Sequence, residues 1–127
     1  MPEPTPILSE SILESMKQAL WPGEIIDDEN NPFDAELILH INAIFTDISR
    51  LGIGPENPFH ITGASETWGE FYDKIDMCNN VKEYMHLKLR MVFDPPANSF
   101  IVNSFEKMID KLEWHLTVIS DELGDST

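Results

Sequence analysis

Glu83 and His86 stand three residues apart, the spacing with which carboxylate-bridged di-iron bundles hold their metal. Such a centre draws ligands from several helices, and this chain has one pair only, so a surface pair on a helix explains the spacing as well. Asp27, Glu29 and Asn31 imitate the first alternate ligands of a calcium loop. Pro32 then stands where the turn needs glycine, and Ile38 stands where the bidentate glutamate belongs. Glu24 to Asp34 therefore reads as a solvated acidic loop. The histidines, His40, His60, His86 and His115, show no short metal-ligand spacing, and no Cys-His or Ser-His-Asp grouping has a recognisable context. His40 and His115 sit at the edges of apolar stripes and read as boundary residues. The glycines of LGIGPENP are interrupted by prolines and join no strand to a helix, so they form no phosphate cradle. These residues support no enzymatic activity and imply no cofactor, no metal and no catalytic group.

The charge balance is more informative. The chain has 127 residues, 23 of them acidic and eight basic, for a net charge of -15. Duplex binding depends on Lys and Arg displacing condensed counterions, so a large phosphate-binding surface is excluded. Repulsion has two uses: in a channel through which DNA slides without sticking, or in a protein that imitates the charge of DNA. Apolar residues make up 42% of the chain, the composition of a globular protein with one core. Cys78 is the sole cysteine, which excludes an intrachain disulfide and is compatible with a reducing compartment. The start, MPEPTPILSE, lacks a basic region followed by an apolar one, and no stretch approaches the ~20 apolar residues of a membrane span. A soluble, unprocessed chain is expected.

The elements that must position these residues are helices. Leu8, Ile12, Met16 and Leu20 recur at four-residue spacing, Ser11 and Glu14 form a capping-box pattern, and Trp21-Pro22-Gly23 stops the helix. Leu37, Ile41, Ile44, Ile48 and Leu51, widened by Ile38 and Phe45, make the broad apolar face of a second helix. Asp34 is its expected N-cap and Gly52 its C-terminal stop, with Asp47 and Arg50 on the far side. A long Gly/Pro-rich loop follows, with at most a short strand at Phe59–Thr62. Thr67 and Glu70 give another capping-box spacing, opening a short helix through Phe71, Tyr72 and Ile75 that breaks near Asn79-Asn80. The fourth helix, Val81 to Phe93, is apolar nearly all round and belongs at the centre of the bundle. Lys88 on it either snorkels to water or pairs with a buried acid. Asp94-Pro95-Pro96 ends it, because the residue before proline is pushed out of the helical region. The last helix, Asn98 to Asp121, has a core stripe of Ile101, Phe105, Met108, Leu112, Leu116 and Ile119. Phe100, Trp114 and Val118 lie on a second side with Lys107 and Lys111, a strip surplus to one chain's core. The expected fold is all-α, a bundle of four to five helices forming a single domain over 1–127, with flexible tails at 1–7 and 122–127.

The order FDAELILHINAIF, LGIGP, TWGEF, VKEYMHLKLRMVFDPP and LEWHL resembles the phage head-tail connector family. These are the adaptor, or head-completion, proteins of long-tailed phages and of prophages of Gram-positive bacteria. The resemblance runs from about Leu8 to Leu116 and rests on several ordered motifs. It departs from the family in the acidic, Asn-rich insert at Asp27–Pro32 and in the Trp21-Pro22 stop.

What the resemblance implies is a structural virion protein that assembles in the host cytoplasm and resides at the head-tail interface. Proteins similar to it form a ring, usually twelve-fold, under the portal protein, extend the DNA channel and offer a platform to the stopper and tail. By this analogy VKEY to FDPP belongs to the core, and the loop after LGIGP and the termini reach neighbouring subunits or the portal. DNA would pass without sequence-specific binding, and no membrane is involved. A ring of head-to-tail contacts uses two different patches on each subunit. Trp114 and Phe100, with Val118, are candidates for one patch, Phe59 and Trp68 for the other, and Trp21 is a further interface candidate. Asp27, Asp28 and Glu29 are candidates for an acidic channel wall or loop. The alternative reading is an acidic DNA mimic or regulatory binding protein, which requires carboxylates spaced like phosphates along one face. Asp and Glu are instead spread over loops and all helices.

Overall fold

The computed structural model describes residues 7–21, 32–54 and 57–125. It is all-α, as expected, with a 3-10 turn at Ile7–Ser9 and helices α1 (Ile12–Leu20), α2 (Pro32–Arg50), α3 (Trp68–Phe71), α4 (Ile75–Phe93) and α5 (Ser99–Asp125). Leu8 falls in the 3-10 turn rather than in the first helix. Ser11 caps α1 as its spacing predicts, its Oγ accepting from the Glu14 amide at 3.3 Å. Thr67 does the same for α3, accepting from the Glu70 amide at 3.4 Å.

These two helix starts also satisfy one another. The first amides of a helix have no intrahelical acceptor. Here the Ile12 amide donates to the Glu66 carbonyl at 3.0 Å and the Trp68 amide to the Glu10 carbonyl at 3.2 Å, an antiparallel bridge centred on Ser11 and Thr67. The approach is close enough that a Cβ on Gly69 would lie 2.7 Å from the Leu8 carbonyl oxygen, so this position accepts only glycine without a shift.

Helix α2 begins at Pro32, whose fixed φ suits a first helical turn, and this places Asp34 inside that turn rather than at the N-cap. Its end is a Schellman motif: the Gly52 amide donates to the Ser49 carbonyl and the Ile53 amide to the Ile48 carbonyl, with Gly52 at φ 86°. Ile53 and Ile48 are both buried and close the motif with an apolar contact.

No strand forms at Phe59–Thr62. The extended chain there pairs with a side chain instead: Asn42 Nδ2 donates to the Ile61 carbonyl at 3.0 Å, and Asn42 Oδ1 accepts from the Ile61 amide at 2.8 Å. One amide side chain thus does what a neighbouring strand would do. Glu66 pins the next residues, accepting from the Thr62 amide and hydroxyl at 2.9 and 2.7 Å. Its slight burial raises the carboxyl pKa, but these Thr62 bonds outweigh it and hold the group below its ordinary value.

The expected break at Asn79-Asn80 does not occur. Helix α4 runs unbroken through both residues, with Asn80 Nδ2 donating to the Asp76 carbonyl four residues back at 2.8 Å. The interruption lies earlier, where Tyr72 is extended between α3 and α4, so α3 stops at Phe71 and Ile75 starts the next helix.

The core gathers α1, α2, α3 and α4 around Phe45, whose ring meets those of Phe71, Phe59 and Trp68 at 4.9, 5.3 and 6.3 Å. Val81, Tyr84, Met85, Leu87 and Leu89 are all buried, which makes α4 the central helix as its pattern predicts. Cys78 is buried with them, and its thiol donates to the Tyr72 carbonyl at 3.2 Å. Burial, together with the nearby Asp73 carboxylate, pushes the thiol pKa up to about 11.

Helix α5 departs most from expectation. Of its expected core stripe only Leu116 is buried; Phe105, Leu112 and Ile119 are half-buried, while Ile101 and Met108 are 43% and 44% exposed. The reason is geometric. Helix α5 rests chiefly on α4, and a helix with one neighbour buries only a narrow line of contact. It also extends to Asp125, beyond the expected end at Asp121 and into the stretch expected to be a tail.

Candidate functional site

The Asp94-Pro95-Pro96 corner turns the chain from α4 into α5. Asp94 closes α4, its backbone N–H donating to the Arg90 carbonyl at 2.8 Å, and Asn98 opens α5, its Oδ1 accepting from the Phe100 amide at 2.7 Å. Arg90 links the two helices by lying 5.2 Å over the Phe105 ring.

A polar chain fixes the rest of α5. Lys88 donates to Asp47 on α2 at 3.1 Å and to the Tyr84 hydroxyl at 3.3 Å, and that hydroxyl donates to Glu113 on α5 at 3.1 Å. Lys88 therefore combines the two readings, since it meets an acid while its side chain remains 29% exposed. Partial burial lowers its pKa, but the Tyr84 and Asp47 contacts outweigh this and raise it above the ordinary value. Tyr84 is also raised, first by burial.

The face of α5 turned away from α4 is open. Phe100 is 76% exposed and Trp114 67%, Lys107 and Lys111 are exposed, and Val118 is half-buried. Beside this face a groove of about 430 Å³ runs between α5 and α4, lined by Glu83, Met108, Lys111, Leu112, Trp114 and His115. Phe100 and Trp114 are thus two large apolar side chains left in water on one face of α5, with Lys107 and Lys111 between them.

The other interface candidates fall elsewhere. Trp68 is fully buried and donates its indole N–H to Ser15 Oγ at 3.2 Å, so in this structure it belongs to the core and not to a docking surface. The side chain expected at an interface patch instead fills the centre of the bundle. Phe59 is half-buried and meets Phe45 and Phe71 edge-on, which ties it to the same core. Trp21 is half-buried at the end of α1, its ring 6.3 Å from that of Phe93. His40 meets the same Phe93 at 5.2 Å, the boundary position expected of it. Asp27, Asp28 and Glu29 lie outside the described residues.

Sequence reasoning missed Lys17 and Asp34. They form an ion pair at 2.7 Å between α1 and α2, with side chains only 7% and 19% exposed, so Asp34, the last residue of the stretch expected to be a solvated acidic loop, is largely buried. The signal was available in a lysine on the apolar side of a short helix. The Glu83 and His86 pair does not converge on a ligand: Glu83 is exposed beside α5, while His86 is half-buried, its Nε2 without a hydrogen-bond partner among the described residues. Burial lowers the His86 pKa, with Arg90 adding to the effect. Among the described residues no three of His, Cys, Asp and Glu gather where a metal ion could be held. No described helix is long and apolar enough to cross a membrane.

Comparison with curated proteins and with solved structures gives no match. The family comparison does: residues 12–123, all but the ends, fit the family described as Phage connector protein, spanning every helix from α1 into the last turns of α5, and the chain belongs to that phage connector family.

Proposed function

We propose that this connector assembles as a ring under the portal protein, lengthens the DNA channel, and presents its far side to the stopper protein and the tail. The chain is read as one domain whose α1 to α4 core serves as a scaffold and whose α5 supplies the working surface. The observation that carries this reading is the open face of α5, with Phe100 and Trp114 exposed in a member of a connector family. An aromatic patch that stays in water in the free chain becomes favourable when another protein covers it.

The net charge of -15 suits the same role. A ring that passes duplex DNA at packaging and ejection must not hold it, and acidic walls repel the phosphates. A twelve-fold ring matches the usual assembly of similar proteins, and the location that follows is the virion, at the head-tail junction.

The test is to mix the purified chain with purified portal and image the complex. A closed ring of added density on one end of the portal is the expected result; bare portal in the presence of excess chain would refute the reading. Trp114→Ala is expected to weaken docking while leaving the fold intact, and undiminished docking would remove α5 from the interface.

A further inference from the structure

In a chain so rich in acid, most cations are already committed. Lys17 pairs with Asp34, Lys82 with Glu10, Lys88 and Arg50 with Asp47, and Arg90 with Asp94. Lys74, Lys107 and Lys111 form no ion pair with any described residue. Two of these three stand one turn apart on α5, on the same outward face as Phe100, Trp114 and Val118. Helical spacing puts Glu106, Asp110 and Glu113 to the side of this face, so between Phe100 and Val118 its centre carries cations and apolar groups but no acid. The groove beside it continues the pattern, with Met108, Leu112 and Trp114 as its apolar wall and Glu83 as the one carboxylate on its α4 side.

A surface of this kind selects a ligand with apolar side chains followed by a dense run of carboxylates. The chain's own sequence contains such a segment: Ile25 and Ile26 followed directly by Asp27, Asp28 and Glu29. We infer that the Ile25–Glu29 segment of one subunit docks on the α5 face of the next, its isoleucines against Trp114 and Met108 and its carboxylates against Lys107 and Lys111. This rests on the ring reading above and deepens it, because a head-to-tail ring needs one socket and one plug on every copy. The docking assigns the acidic insert to a contact between subunits rather than to the channel wall. Burial of Trp114 supplies most of the affinity, while the exposed charges contribute chiefly orientation and choice of partner.

Charge exchange tests it in the full-length chain. One variant carries Asp27→Lys and Asp28→Lys, a plug reversed with its socket unchanged; the other carries Lys107→Glu and Lys111→Glu, a socket reversed with its plug unchanged. Alone, each faces like charge with like. Mixed, every plug meets an opposite socket in an alternating ring. Association is read by sedimentation at low ionic strength and, separately, by imaging on the portal. The mixture is expected to associate roughly tenfold or more tightly than either variant alone, since opposed like charges are strongly disfavoured at an interface. Because rescue needs both variants folded, a mixture that assembles also excludes misfolding as the cause of each single failure. A mixture no stronger than its parts by both readouts overturns the inference, as would happen if the segment docked on its own chain. A gain in sedimentation with bare portal upholds the contact and refutes only the portal ring.

Discussion

Asn42 offers the sharpest test of the fold. Its amide makes two hydrogen bonds to the backbone of Ile61, at 3.0 and 2.8 Å, and Ile61 is 2% exposed. Asn42→Ala removes both partners and leaves a buried N–H and a buried C=O unsatisfied. Each orphaned group costs about 1–3 kcal/mol, and partial access of water places the sum at roughly 2–4 kcal/mol. For a chain of 127 residues this lowers the thermal midpoint by roughly 10 °C. Asn42→Asp separates the two bonds: a carboxylate still accepts from the Ile61 amide but presents an oxygen, not a donor, to the Ile61 carbonyl. Hydrogen exchange at the Ile61 amide, followed alongside chemical denaturation, is the assay. Protection of that amide is expected to persist in Asn42→Asp and to fall to the level of an open loop in Asn42→Ala. Unchanged protection in Asn42→Ala, or a stability loss below about 0.5 kcal/mol, would refute the clamp, since that is the range of a surface substitution.

Lys17→Met strands Asp34 in a largely buried position and is expected to cost about 3 kcal/mol, whereas Lys17→Met with Asp34→Leu recovers most of it; denaturant titration of both variants gives the comparison. The tryptophans should separate cleanly: Trp68→Ala opens the core and loses roughly 3–5 kcal/mol, while Trp114→Ala changes stability by less than about 0.5 kcal/mol, both read from thermal unfolding. Cys78, with its thiol pushed up to about 11, stays unreactive toward alkylating reagents near neutral pH until the chain unfolds, and its labelling rate should track denaturant concentration. Its folded value lies above the unfolded one, so its contribution to stability is complete below about pH 8.5 and is lost as pH rises toward 11; Cys78→Ala should flatten that decline.

Much was legible locally. Ser11 and Thr67 are caps because a short hydroxyl three residues before an amide can reach it, and the sequence spacing alone contains that fact. The Gly52 stop is legible for a similar reason, since a left-handed residue after a helix is nearly always glycine. The broad face of α2 and the encircling apolar pattern of α4 fixed which helix lies at the centre. Resemblance in the order of motifs pointed to the connector family that the comparison over residues 12–123 bears out.

What the sequence could not decide was which apolar side chains find a partner. Trp68 and Trp114 each follow a glutamate or threonine at the start or middle of a helical stretch, and nothing in their neighbours separates them; one is buried against the rings of Phe45 and Phe71 and against Ser15, the other stands in solvent. The stripe from Ile101 to Ile119 has the period of a buried helix face, yet period records only that the residues share a side, not that another element comes to cover it. Extended backbone at Phe59–Thr62 suggested a strand because propensity is local, whereas its partner, Asn42, lies 19 residues away from Ile61 in the chain. The sequence by itself determined the all-α class, the Ser11 and Thr67 caps, the Gly52 stop, the charge and the family. Tertiary structure alone decided that α5 rests chiefly on α4, and with it which of its apolar residues stay in water.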